Sequence, residues 1–278
     1  MLRRQRAGSV VCPSCGSLVG VNDERCYTCG RANPGLWGFA PLIRQLGSDL
    51  GFVPLVMGVC GIVFLLTMLS SGGSTGGGID FLSPSGSALV RWGASGAIPV
   101  FAYGAWWTIL SAMWLHGGII HIVFNMMALR SIGPATADII GPSRTAIIYV
   151  IAGACGFLLT SVIGYYGPLP LIGGARITVG ASASILGLAG ALLHYGRVSG
   201  SSYIRAQMTQ YLLSVVVIGF LFPYVDNVAH LGGFAGGYLT SMFLNPLTRE
   251  RGDHMLAAIV CLATSLVAVA VSLVYTTL

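Results

Sequence analysis

The sequence has 278 residues, of which 55% are hydrophobic and only 8% are charged, with a net charge of +6 at neutral pH. A soluble domain carries about 25% charged residues, so this composition excludes an ordinary water-soluble enzyme. The chain is long enough for several membrane-spanning helices, each of which needs about 20 mostly apolar residues. All 14 basic residues are arginine, and in so apolar a chain their excess indicates membrane topology rather than nucleic-acid binding.

Apolar segments mark seven candidate spans. In chain order they are Phe52–Ser70, Trp114–Arg130, Arg144–Tyr165, Gly180–His194, Gln207–Phe222, Val228–Leu244 and Met255–Tyr275. The fourth is too short to cross the hydrocarbon layer alone, which indicates a water-accessible cavity. The 40 glycines favour closely packed helices, because lipid supplies no hydrophobic force that would hold helices together.

The distribution of arginines predicts the orientation of the chain. If the N-terminus is inside, every arginine except Arg91 and Arg176 falls on the cytoplasmic side. Cytoplasmic loops are enriched in arginine, so we expect a cytoplasmic N-terminus and an external C-terminus. The segment Gly72–Leu115 is then an external loop. Its four tryptophans are expected at the lipid headgroup level, where amphipathic rings prefer to lie: Trp92, Trp106, Trp107 and Trp114.

Four of the seven cysteines form two Cys-x-x-Cys pairs near the N-terminus, each followed by glycine: Cys12, Cys15, Cys26 and Cys29. Two such pairs suit one tetrahedral Zn²⁺ with thiolate ligands at about 2.3 Å. Two disulfides are the alternative, which a reducing cytoplasm disfavours. So short a segment cannot bury a core of its own, and a bound metal would supply its folding free energy. We therefore predict a structural zinc ribbon over residues 1–35, not a signal peptide, followed by a linker over 36–50.

Three histidines lie within candidate spans, where ionisable groups are costly and indicate function: His116, His121 and His230. No acidic residue lies within a candidate span, and Asp226 comes closest, so a carboxylate proton relay or metal site is not expected. His121 and Asn125 share a helix face, from which the asparagine can donate N–H groups to a buried anion. His116 and His121 are five residues apart and rotated by about 140°, which argues against a paired metal ligand.

Ser182 lies within Gly180–Ala183 at the start of the fourth span. Backbone N–H groups in the first turn of a helix are unpaired and the helix dipole is positive there, which favours an oxyanion. A single serine in a membrane helix is more often a packing residue. However, the sixth span carries His230 ahead of Gly233 and Gly237, and glycines four apart let a neighbouring helix approach closely. Packed against the fourth span, this face would bring His230 beside Ser182, as in an activated nucleophile.

Three motifs together resemble the rhomboid family of intramembrane serine proteases. They are His-x4-His-x3-Asn at His116, His121 and Asn125, Gly-x-Ser-x at Gly180–Ala183, and Ala-His-x-x-Gly-x-x-x-Gly at Ala229–Gly237. The resemblance covers about Leu50 to Leu244. It implies that Ser182 is the nucleophile and His230 the general base. It also implies that His121 and Asn125, with the Ser182 N–H, bind the oxyanion.

The resemblance also implies a fold and an activity. We expect an all-α membrane protein with a rhomboid-like core of six transmembrane helices over residues 51–245. A seventh helix over 246–278 resembles the six-plus-one arrangement in part of the family. The implied activity is a serine endopeptidase that cleaves single-span membrane proteins by a Ser-His dyad, with no cofactor for catalysis, in a bacterial inner membrane. His194 and His254 are assigned to cytoplasmic helix ends without a catalytic role.

One departure from the family concerns the first external loop. Many members carry Trp-Arg nine residues before the first histidine of the second-span motif, where this chain has Trp107 and Thr108. We expect this change to affect stability more than activity. The alternatives are a catalytically silent rhomboid-like protein that binds membrane clients, a channel or transporter, and a haem protein. The presence of both Ser182 and His230 argues against the first, the lack of acidic residues in the spans against the second, and the histidine spacing against the third.

Overall fold

The computed structural model describes residues 4–12, 15–41, 46–72, 82–167, 173–222, 224–248 and 250–275. Of the arginines that predict the orientation, Arg3, Arg44 and Arg249 lie outside these ranges, as does most of the Gly/Ser-rich segment after the first span. The chain divides into two compact units, Met1–Gly51 and Phe52–Leu278.

The N-terminal unit is built on a short antiparallel hairpin. Strand β1 (Ser9–Val11) pairs with β2 (Leu18–Gly20), and Val10 lies opposite Val19. These two valines pack with Cys12 and Cys26 in a small core. The expectation that so short a segment cannot bury a core of its own is therefore wrong, because the hairpin gives the unit a small buried centre in which two of the four paired cysteines lie.

The second unit is a bundle of helices. Those of seven residues or more in the described part of the chain are α1 (Phe52–Ser70), α2 (Gly86–Trp92), α3 (Ile119–Ile140), α4 (Pro142–Tyr166), α5 (Ser182–Val198), α6 (Ser202–Leu221), α7 (Asn227–Phe243) and α8 (Gly252–Tyr275). Single helical turns lie between α2 and α3 at Ile98–Ala102, Thr108–Ser111 and Ala112–Trp114. Apart from the second, the predicted spans agree with α1 and α4–α8 to within five residues at each end.

Four described helices, α1, α4, α6 and α8, are long and apolar enough to cross a membrane. A fifth span results if the turns at Thr108–Trp114 are joined to α3, from which they are bent by 90°. Helices α5 and α7 have 17 residues each, which is about 26 Å of helix and less than the roughly 30 Å of a hydrocarbon core. The prediction of a short fourth span is confirmed.

The predicted start of the second span at Trp114 is wrong. Helix α3 begins at Ile119, because the chain is extended at Leu115 and Gly118 and turns sharply before the helix starts. It also continues to Ile140, so that Asp138, which is exposed, lies within a helix. The expectation that no acidic residue lies in a spanning helix therefore fails at this position.

The expectation that Trp114 lies at the headgroup level is also wrong. Its side chain is fully buried at 0% exposure, and its indole N–H donates to Ser265 Oγ of α8 at 3.2 Å. Trp106, by contrast, is 65% exposed. The rule that places tryptophan at the membrane interface fails for Trp114 because a distant helix supplies a polar partner inside the protein.

Helix α5 lies at the centre of the bundle, and its residues from Ala183 to His194 are buried. Helix α7 packs against both α4 and α5. A Cβ atom on Gly233 would overlap the backbone of Ala183, and one on Gly237 would overlap the backbone of Gly187. The close approach that the glycines of the sixth span predict is therefore present, and it is made by backbone against backbone.

The close contact between α5 and α7 predicts that replacing glycine by alanine changes stability in opposite directions at two positions. Gly237→Ala should lower the thermal unfolding temperature in detergent, because overpacking a tight contact costs about 1–3 kcal/mol. Gly61→Ala in α1 is the matched control, since no atom lies within 4 Å of its Cβ position and alanine favours a helix. Equal unfolding temperatures for the two variants would contradict the proposed role of the glycine contact.

Candidate active site

Ser182 and His230 meet at the ends of two neighbouring helices. Ser182 is the first residue of α5, and His230 lies in the first turn of α7. The distance between His230 Nε2 and Ser182 Oγ is 2.8 Å. Both residues are half-buried, so the Ser182 hydroxyl is held by the His230 imidazole and is still accessible. This arrangement suits proton transfer from a serine to a histidine.

The backbone before Ser182 takes a conformation that requires glycine. Gly180 has a φ of +132°, which side chains rarely adopt, and its N–H donates to Ala112 O at 3.0 Å. A Cβ atom at Gly180 would lie only 2.7 Å from Nε2 of His121. The glycine of the Gly-x-Ser motif is therefore fixed both by its backbone angle and by the imidazole next to it.

The imidazole of His121 is held in one tautomer. Its Nδ1 accepts a hydrogen bond from the Gly117 N–H at 3.3 Å, so in the neutral ring Nε2 carries the hydrogen. That nitrogen faces Gly180, next to Ser182. One turn further along α3, the buried Asn125 side chain donates one N–H to His121 O at 2.9 Å. The structure thus places His121 next to Gly180 and Asn125 one turn away on the same helix, bonded to the His121 backbone.

His116 is brought close to the site without reaching the serine. It precedes α3, is fully buried, and packs edge-on against His121 with 5.2 Å between ring centroids. Neither ring nitrogen has a hydrogen-bond partner within the described part of the chain. Its contact with the site is therefore through the ring of His121.

Asp226 belongs to the same region, although the sequence analysis assigns it no role. Its Oδ1 accepts from the Ala229 N–H at 2.9 Å and caps α7 one turn before His230. The same oxygen accepts from the Thr160 hydroxyl at 3.0 Å, and that hydroxyl accepts from the Ala175 N–H at 2.8 Å. An Asp just before an apolar helix is a capping signal, but its bridge to α4 and to the segment before Ser182 is not visible in the sequence.

The double use of the Asp226 carboxylate predicts a larger loss of stability than a simple cap would give. Asp226→Ala should lower the unfolding free energy by more than the roughly 1 kcal/mol typical of a lost cap. Ser201→Ala is the control, because Ser201 caps α6 by accepting from Ile204 N and lies near the surface. Thermal unfolding in detergent measures the stability of both variants. Equal losses of stability would show that the hydrogen bond from Thr160 to Asp226 adds nothing.

Two further histidines lie away from this site. His194 follows Ser182 by twelve residues on α5, about 18 Å along a helix, and its Nδ1 lies 3.0 Å from Ser241 Oγ. His254, at the start of α8, accepts from Arg144 Nε at 3.3 Å. Both have structural partners, and neither approaches the serine.

Comparison with known proteins identifies the family of the chain. Residues 103–247, just over half of the chain, match the model of the Rhomboid domain. This range includes every residue of the site described above. The chain belongs to the rhomboid family.

Relatives of the rhomboid family from bacteria and plants are similar to this chain. Rhomboid protease GluP from Bacillus subtilis is 31% identical over 65% of this chain and 34% of the relative. RHOMBOID-like protein 7 from Arabidopsis thaliana is 34% identical over 59% of this chain and 50% of its own length. The putative rhomboid protease YdcA from Bacillus subtilis is 32% identical over 54% of this chain and 72% of its own length. The chain thus spans a third to a half of the first two relatives.

Membership of the rhomboid family fixes the general character of the chain. With its apolar helices, it is an integral membrane protein with the helical bundle that the motifs predict. Two of the relatives, GluP and YdcA, are named as rhomboid proteases.

A second site lies in the N-terminal unit. The four sulfur atoms of the paired cysteines lie within 4.8 Å of one another, with 3.8 Å from Cys12 to Cys29 and 3.5 Å from Cys15 to Cys26. A tetrahedral site with bonds of 2.3 Å has sulfur–sulfur distances of about 3.8 Å. All four cysteines are free, so the cluster can hold a metal ion.

The two cysteine pairs have the same backbone geometry. The N–H of Gly16 donates to Cys12 O at 2.9 Å, and the N–H of Gly30 donates to Cys26 O at 2.8 Å. Both glycines have positive φ, +77° and +72°, which turns the chain back around the sulfur atoms. Hydrogen bonds from Ser17 lower the pKa of the Cys15 thiol to about 6, which favours the thiolate, the form that binds metals. The pKa of Cys29 is lowered by a hydrogen bond with Arg31 but raised more strongly by burial and by the neighbouring cysteines, to about 11.

Proposed function

We propose that this protein is an intramembrane serine endopeptidase whose catalytic dyad is Ser182 and His230. The observation that carries the proposal is the 2.8 Å contact between His230 Nε2 and Ser182 Oγ at the start of α5. A serine that only packs between helices needs no imidazole directed at its hydroxyl. Membership of a family that includes named proteases supports the same interpretation.

The proposed reaction is acyl transfer in two steps. Ser182 Oγ attacks the carbonyl carbon of the scissile peptide bond while His230 Nε2 takes its proton, and the imidazolium then protonates the leaving amine. A water molecule, deprotonated by the same imidazole, cleaves the acyl-enzyme. Within the described residues, His230 Nδ1 has no hydrogen-bond partner, which supports a dyad without an orienting acid.

The tetrahedral intermediate needs donors for its negatively charged oxygen. The Ser182 N–H is available because the first turn of a helix leaves its N–H groups unpaired. His121 Nε2 carries a hydrogen and faces Gly180 beside the serine. Asn125 uses one N–H for His121 O and has a second to donate. Loss of one such donor typically lowers the rate by about 10²–10³.

We propose single-span membrane proteins as substrates and lipid as the surroundings. A peptide carbonyl within a transmembrane helix is hydrogen-bonded and shielded by its own helix, so the substrate must unwind locally before Ser182 can attack it. We propose a bacterial plasma membrane as the location, and the arginine distribution supports a cytoplasmic N-terminus and an external C-terminus. Catalysis would then take place on the external side of the bilayer.

The nucleophile assignment is tested with a fluorophosphonate probe and a model membrane substrate. Ser182→Ala should abolish both labelling and cleavage, because the probe reacts only with an activated serine hydroxyl. Ser184→Ala is the matched control, since Ser184 lies two residues further along α5, is buried and contacts the Met113 sulfur instead. Cleavage by the Ser182→Ala protein would refute the dyad. A folded wild type that binds substrates without cleaving them would favour the silent client-binding alternative.

We further propose that Cys12, Cys15, Cys26 and Cys29 bind one structural Zn²⁺. Elemental analysis of the full chain, purified under reducing conditions, should give one zinc per chain. Cys15→Ser should reduce this ratio, whereas Cys155→Ser, a free cysteine of α4 outside the cluster, should not. A ratio near zero in the wild type would refute the zinc assignment. Because the dyad needs no metal, the zinc-depleted protein should keep its reactivity with the probe.

A further inference from the structure

The segment between α2 and α3, residues 93–118, is held against α8 by two indole groups, of which that of Trp114 is fully buried and that of Trp107 half-buried. Trp107 Nε1 donates to Ser272 Oγ at 3.1 Å, and Trp114 Nε1 donates to Ser265 Oγ at 3.2 Å. The two serines are seven residues apart, which places them on one face of α8, two turns from each other. One face of the seventh helix therefore supplies the polar partners for both tryptophans.

Two additional contacts strengthen the same interface. The Tyr275 hydroxyl donates to Tyr103 O at 3.0 Å, and its ring packs edge-on against Trp107 with 4.9 Å between centroids. Gly93 approaches α8 so closely that a Cβ atom would lie 2.6 Å from Ser272 Oγ. The segment is thus fixed to α8 at its beginning, its middle and its end.

The opposite side of the segment supports the nucleophile. Ala112 O accepts the Gly180 N–H at 3.0 Å, two residues before Ser182. Ser95 and Thr178 exchange a pair of backbone hydrogen bonds at 3.0 and 2.7 Å. Since Ala112 and Trp114 lie in one helical turn, the contact of Trp114 with α8 bears directly on the backbone that holds Gly180.

Thr108 cannot provide this anchoring itself. The buried Thr108 hydroxyl donates to Ala105 O at 2.7 Å within its own segment. On the side that faces α8, the segment is hydrogen-bonded to three residues of that helix. Ser265 and Ser272 accept from the two indoles, and the Tyr275 hydroxyl donates to the backbone.

We propose that α8 positions the active site, with Ser265 and Ser272 as positioning residues that act on Ser182 through Trp114, Trp107 and the Ala112–Gly180 hydrogen bond. The inference rests on the proposed protease function. Without its serine, each indole N–H loses its partner in a buried or half-buried site, which is costly. The segment would then shift away from α8, and Gly180 and Ser182 would move with it.

The test compares reaction rates rather than stability alone. Ser265→Ala and Ser272→Ala should each slow fluorophosphonate labelling of Ser182 by about tenfold, the size expected when a buried hydrogen-bond donor is left unpaired. For a model membrane substrate, kcat should fall while KM stays near the wild-type value, since the serines do not contact substrate. Thr264→Ala is the matched control, because the exposed Thr264 bonds only to Val260 O in its own helix; its rates should equal those of the wild type.

A double-mutant cycle isolates the indole–serine bond from general destabilisation. Trp107→Phe should slow labelling about as much as Ser272→Ala, and the double variant should be no slower than the slower single variant. All rates are measured well below the unfolding temperature of each variant. Wild-type rates in the serine variants, or rate losses that multiply in the double variant, would overturn this inference alone. A wild-type chain that the probe does not label would overturn the proposed function and this inference with it.

Discussion

The structure depends on the contact between α5 and α7, where backbone packs directly against backbone. Gly233 and Gly237 of α7 lie against Ala183 and Gly187 of α5, with no room for a side chain between them. In lipid there is no hydrophobic force to hold two helices together, so close van der Waals contact between small residues must do so. This contact sets the distance between the first turns of the two helices, where the serine and histidine lie. The 2.8 Å contact between His230 Nε2 and Ser182 Oγ is a consequence of it.

The features that could be predicted from the sequence are those set by local pattern. The bounds of α1, Phe52–Ser70, follow from an uninterrupted apolar segment flanked by polar and glycine-rich residues. Ser182 at the start of α5 follows from its position after Gly180. The cysteine cluster follows from spacing alone, since each Cys-x-x-Cys pair closes its own turn. In each case, the residues that determine the structure are near neighbours in the chain.

The features that could not be predicted depend on partners far away in the sequence. The 90° bend before α3 leaves the chain apolar on both sides, so hydropathy does not mark it. Trp114 is buried because Ser265, 151 residues later, accepts its N–H. Asp226 is recognisable as a helix cap, but its link to Thr160 and Ala175 joins three separate parts of the chain. Hydropathy and motif spacing predict the spans and the pairing of Ser182 with His230. They do not predict the contacts between distant parts of the chain that hold these residues in place.

Ser182 and His230 are 48 residues apart in the sequence and lie on two helices that are separated by the whole of α6. During biosynthesis, Ser182 and the whole of α5 are translated before His230. Neither helix alone can activate the hydroxyl. Under the proposed function, hydrolytic activity therefore begins only after α7 has packed against α5 and brought its imidazole to the hydroxyl.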